Sequence, residues 1–218
     1  MTAIAGKSGN AWYRGKQMIV GAVAGMLCSQ GFVMTVRHLG LNLKTMAWID
    51  VMALIQGMVF VMLGLVALGI TLSPGLAGAQ IEQKPDAPPA SKRELRLGRL
   101  QGLVLLLAGA LMLTPLLTSQ LGMAGDHAPL VFAGIAVVFL LQSGLNFLVW
   151  QQADELLRAM IAQTSAVSFW VLQGALFLAA SAQKLGLMPE FSLWTAMVIT
   201  LGVYSIASLV VAVRARAC

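Results

Sequence analysis

Charge is what this sequence has least of. Only 10% of its 218 residues are Asp, Glu, Lys or Arg, against about 25% in soluble domains. So few charges cannot cover a water-facing surface, so lipid is the solvent for most of the chain. Cysteine and histidine are scarce as well, two of each. Cys28 lies inside an apolar run and Cys218 is the last residue, and neither has a C-x-x-C partner, which excludes a disulfide framework and a thiolate metal site. His38 follows the first apolar run and His127 falls in a loop, so the two do not make the facing helical pair that a bis-histidine haem requires. Intramembrane aspartyl hydrolysis needs two aspartates close enough to share a proton, and Asp50 has no such companion. No Walker A, H-E-x-x-H or mid-span Schiff-base lysine occurs. The expectation is a non-enzymatic protein with no catalytic residue, no metal and no cofactor.

What is present is long apolar sequence. Hydrophobic residues make up 59% of the chain, and the mean hydropathy is +0.85. Charges divide it into runs, each measured against the roughly 20 residues a helix needs to cross a bilayer. The runs are 17–36, 46–72, 99–123, 129–150, one from the 150–164 stretch to about 182, and 191–213. The fold expected is all-α: a polytopic membrane protein of six transmembrane helices in a bundle. Three regions are expected: 1–72 with a tail and two spans, a Pro-rich and basic cytoplasmic linker over 73–98, and a four-helix unit over 99–218. The early linker, with Pro85, Pro88 and Pro89, reads as extended or disordered. Ser91 with Glu94 three residues on reads as a capping box opening the next helix.

Lysine and arginine set the orientation. With the N-terminus inside, eleven fall on the cytoplasmic side: Lys7, Arg14, Lys16, Lys84, Lys92, Arg93, Arg96, Arg99, Arg158, Arg214 and Arg216. Only Arg37, Lys44 and Lys184 fall outside. Both termini are therefore expected in the cytoplasm. The net charge of +6 does not point to nucleic acid, because the basic residues flank apolar spans and form no patch interleaved with aromatics. The bacterial inner membrane is the expected location.

Three sets of residues are candidates for function. The first is Asp154, Glu155 and Arg158, the only charges between His127 and Lys184. Acid before base at spacings of three and four is the favourable helical order. The acids also suit a helix N-terminus. With Arg93 and Arg96 of the basic segment they read as a cytoplasmic clamp or a contact for a partner protein. The second is an uncharged polar intramembrane face, Gln142 and Asn146 on one helix and Gln163 and Gln173 on the next, with Ser143, Thr164 and Ser168 among them. Such groups are expected to face a neighbouring helix and not lipid. The third is Gly21 and Gly25, a G-x-x-x-G pair for close helix packing; Gly102 and Gly109 also share a helix face.

The last third carries an aromatic (Trp150), then Asp154-Glu155-Leu156 and Arg158, then two spans joined through Gly186-Leu187-Met188-Pro189, with Trp194 and the terminal pair Arg214 and Arg216. In this it resembles a group of uncharacterised small proteobacterial membrane proteins with a D-E-L-x-R motif before a C-terminal two-helix hairpin. The resemblance implies the hairpin and carries no activity. The functional expectation is an accessory or assembly subunit acting through helix–helix and cytoplasmic charged contacts, its partners being the bilayer and another membrane protein or a second copy. The alternative is a small-solute transporter or permease using the polar intramembrane face. A membrane-embedded enzyme or haem protein ranks third.

Overall fold

A computed structural model of the chain describes residues 25–26, 29–31, 33–34, 36–38, 40, 43–82, 87–122, 127–186, 188–190 and 192–217. The first expected span and Gly21 fall wholly or largely outside these residues. The described positions between 25 and 38 are helical. Among the described residues six helices follow: α1 (Trp48–Ile70), α2 (Pro74–Glu82), α3 (Lys92–Gln120), α4 (Ala128–Gln152), α5 (Glu155–Lys184) and α6 (Leu193–Ala217). No strand occurs among the described residues. All but α2 are long and apolar enough to cross a membrane. The described residues are thus all-α, with five helices long and apolar enough for the multi-pass membrane protein expected.

The chain divides into two compact units, Met1–Val149 and Trp150–Cys218. In the first, α1 packs antiparallel on α3. Steps of three and four mark the contacting faces: 57, 61, 64 and 68 on α1, with Thr71 just past its end, against 98, 102, 106, 109 and 113 on α3. That heptad-like spacing keeps one seam facing the partner over several turns. Leu54, Gly57 and Gly64 are buried on α1, and Gly102, Gly109, Met112 and Leu116 on α3. Gly57 stands opposite Gly109, and Gly64 opposite Gly102. A Cβ at Gly64 would lie 2.8 Å from both the Gly102 carbonyl oxygen and the Leu106 nitrogen. One at Gly109 would lie 2.7 Å from the Gly57 carbonyl oxygen and 2.8 Å from the Val61 nitrogen. Backbone meets backbone at both levels, which only glycine permits. In lipid, where apolar burial drives little association, such close contact is what holds helices together.

The segment after α1 departs from the extended linker expected. Residues 74–82 form a helix, opened by Pro74 at a first-turn position where its missing N–H costs nothing. The returning chain is tied to it: the Ala90 N–H donates to the Pro74 carbonyl at 2.9 Å. Gly78 is buried so closely against Pro88 and Ala90 that a Cβ there would collide with the Pro88 carbonyl. Proline density misleads here because Pro88 and Pro89 lie in the returning strand of chain, outside the helix. Ser91 then caps α3 as its spacing predicts. Its side chain accepts from the Glu94 N–H at 3.3 Å, and its own N–H donates to the Glu94 carboxylate at 2.7 Å. Helix α3 thus begins two turns before Arg99, and it continues through Pro115 to Gln120.

In the second unit α5 packs against α6. The inward face of α5 carries Thr164 and Ser168, each 4% exposed, and that of α6 carries Val198, Ala207 and Val211. Gly186, at φ +73°, makes the turn after α5, a left-handed conformation that suits glycine at a helix end. The Gln183 amide closes this turn by donating to the Pro189 carbonyl at 3.1 Å.

Candidate functional site

The D-E-L-x-R stretch forms a joint between two helices. Helix α4 ends at Gln152, and Ala153 and Asp154 break the helical path before α5 starts at Glu155. Asp154 has extended backbone (φ −74°, ψ 175°), and its carboxylate accepts from the Leu157 N–H at 2.7 Å. This satisfies one of the unpaired donors at the helix N-terminus, and the negative charge suits the positive end of the helix dipole. Arg158 works the other side of the joint. Its Nε donates to the Trp150 carbonyl at 3.1 Å and one Nη to the Gln151 carbonyl at 2.9 Å. Those carbonyls end α4, where no further turn supplies donors. One residue caps the entering helix and another caps the departing one, four positions apart. Glu155 and Leu156 stand exposed beside them, and Ala153 is buried.

Sequence spacing alone pairs Arg158 with the acids. The structure gives its guanidinium two main-chain acceptors instead. Arg93 and Arg96 are exposed on the first turns of α3 and belong to the first unit, whereas Asp154, Glu155 and Arg158 belong to the second.

The polar intramembrane residues separate into two kinds. Gln142 is half-buried on α4, and its amide points at the Val104 carbonyl of α3 at 3.5 Å, a long contact. Asn146, Gln163 and Gln173 are exposed. On α5 it is Thr164 and Ser168 that turn inward. Seven other helical hydroxyls, those of Thr114, Thr118, Ser143, Ser181, Thr200, Ser205 and Ser208, donate to the carbonyl four residues back at 2.7–2.9 Å. The Ser168 hydroxyl is buried and has no hydrogen-bond partner among the described residues.

Searches against protein-family models, curated proteins and solved structures returned no match. The chain's chemistry therefore has to be argued from its own residues. No group of three His, Cys, Asp or Glu that could hold a metal occurs among the described residues. Asp50 sits in the first turn of α1, the helix-start position its spacing predicts. His127 lies in the turn just before α4, and His38 is helical.

Sequence reading notes Gly102 and Gly109 on one helix face and misses the two glycines they pack against. Of the pair singled out, Gly21 is outside the described residues, and a Cβ on Gly25 would meet nothing within 4 Å. Gly57 and Gly64 are the glycines in contact with Gly109 and Gly102. The usable signal was a shared spacing of seven on two neighbouring helices. The inward hydroxyls Thr164 and Ser168 were in view, but the larger amides of Gln163 and Gln173 outweighed them.

Proposed function

We propose that the protein is a non-enzymatic accessory or assembly subunit of the bacterial inner membrane, with six spans and both termini cytoplasmic. The exposed amides support this reading. Asn146, Gln163 and Gln173 stand on helices whose apolar side chains are also exposed, such as Phe139, Phe147, Trp170 and Phe177 at 55%, 60%, 74% and 70%. An apolar side chain facing lipid needs no partner. An amide in that position does, because its donors and acceptors have no water to bond. A second membrane protein or a second copy of the chain supplies the missing partners.

The permease reading draws less support, because the inward face of α5 carries two small hydroxyls while its amides Gln163 and Gln173 are exposed. A photo-crosslinking residue at Gln163, Gln173 or Asn146, activated in native membranes, tests the proposal. One discrete protein adduct at these positions, absent when the probe replaces inward-facing Val198, is the expected result. Lipid-only adducts at all three would overturn it, and solute flux lost in Gln163→Leu with Asn146→Leu would move the assignment to a permease.

A further inference from the structure

The glycine seam fixes the level at which α1 ends beside α3. Thr71, the C-cap of α1, is buried, and a Cβ on Gly98 would lie 2.9 Å from its methyl group. Arg99 donates to the Thr71 carbonyl at 3.3 Å. Residues 92–98 therefore run past the end of α1 by about 10 Å, at 1.5 Å per residue. A helix of 29 residues exceeds the roughly 20 that cross the hydrocarbon core, so this projecting part lies at headgroup depth. At about 100° per residue, Lys92, Arg93, Arg96 and Arg99 fall within an arc of about 120°. The arc is centred away from the glycine seam and all four residues are exposed, although Arg99, at its edge, reaches back to the Thr71 carbonyl. Glu94, the only acid in the segment, lies outside the arc and bonds the Ser91 N–H. Leu72 and Leu76, 81% and 63% exposed, stand at the same end of the unit, in the turn after α1 and on α2.

We infer that this face binds the phosphate headgroups of anionic lipids in the leaflet around the projecting turns of α3. Guanidinium groups bind phosphate through paired N–H donors, and lysine adds a point charge. The exposed leucines sit where an acyl boundary would meet them. Charge complementarity selects lipid over a protein partner because the basic face is held at bilayer depth by its own helix, where anionic headgroups are the abundant counter-charge. Arg93 and Arg96 thereby serve the lipid surface and not a clamp onto the D-E-L-x-R stretch. The inference rests on α1 and α3 crossing the membrane and is independent of the accessory-subunit reading.

The test uses the full chain, delipidated in mild detergent and titrated with phosphatidylglycerol or phosphatidylcholine, with bound lipid read by native mass spectrometry. The expected result is a preference for phosphatidylglycerol that falls by about tenfold or more in Lys92→Gln/Arg93→Gln/Arg96→Gln. It should persist in Lys7→Gln/Arg14→Gln/Lys16→Gln, which removes the same charge elsewhere. Absence of a preference, its survival in the first variant, or equal loss in both variants would each overturn the assignment. So would displacement of the lipid by an acidic peptide or an RNA oligonucleotide at lower concentration. If the first variant fails to fold, salt dependence in the unaltered chain decides: a preference that fades as salt rises supports the inference, and one indifferent to salt overturns it.

Discussion

The two helix pairs, α1 with α3 and α5 with α6, solve the same problem with different residues. The first brings backbones together through four glycines in two facing pairs, so the contact is made by atoms that cannot move aside. The second packs Val198, Ala207 and Val211 on α6 and sets two hydroxyls, Thr164 and Ser168, on the inward face of α5. Side chains can adjust where backbone cannot. The first pair should therefore be rigid and intolerant of added volume, and the second should tolerate change.

Adding volume at the seam is the strongest way to break that comparison. Gly64→Val and Gly109→Val place atoms within 2.8 Å of the opposite backbone, where no rotamer relieves the clash. Overpacking of this kind costs about 1–3 kcal/mol and sometimes more, and here the whole α1–α3 contact has to widen. The expected result is loss of the folded first unit, read as lowered unfolding midpoint in detergent and loss of a disulfide placed between the two helices. Gly144→Val and Gly174→Val are the comparison, since a Cβ at either glycine meets nothing within 4 Å. Equal effects at all four positions would end the claim that the seam is special.

A smaller effect is expected at the joint, where removing the cap costs about 0.5–2 kcal/mol. Asp154→Ala should raise hydrogen exchange over 153–158, while Asp154→Asn, which keeps a capping oxygen without the charge, should leave it nearly unchanged. The pair separates structure from recognition. If the charge of Asp154 contacts a partner, Asp154→Asn breaks the association while exchange stays slow. Arg158→Met should loosen the end of α4 and leave the N-cap of α5 intact, because the two caps use different atoms.

Sequence alone told much of this. Hydropathy marks every described span, and the boundaries of α4 and α6 come within a few residues, because bilayer thickness imposes a length that composition reveals. Ser91 and Glu94 announce their capping box by spacing alone. Two features stayed hidden because they depend on which helix lies beside which. Gly57 and Gly64 look like ordinary small residues until α3 is set against them in register with Gly109 and Gly102. Arg158 looks like the partner of Asp154 until the break in the helix at Ala153 and Asp154 leaves the Trp150 and Gln151 carbonyls within its reach. The residues 74–82 misled in another way: nearby prolines suggested an extended chain, whereas a short helix satisfies its own backbone and offers Gly78 for the returning segment.

The smallest change tests the tolerant pair from within. Ser168 is buried with its hydroxyl unbonded, although a serine in a helix ordinarily reaches the carbonyl four residues back, as Ser181 does. An unsatisfied buried polar group costs about 1–3 kcal/mol, so Ser168→Ala should be neutral to stabilising by about 1 kcal/mol, with little volume lost. Ser205→Ala on α6 removes a hydroxyl that is bonded to the Leu201 carbonyl at 2.7 Å and should not stabilise. Unfolding midpoints of the two variants in the same detergent make the comparison direct. If Ser168→Ala destabilises instead, the hydroxyl has a partner outside the chain, a buried water or a neighbouring protein. Repeating the measurement with the protein in its native membrane then separates the two, because a protein partner restores the difference only where that partner is present.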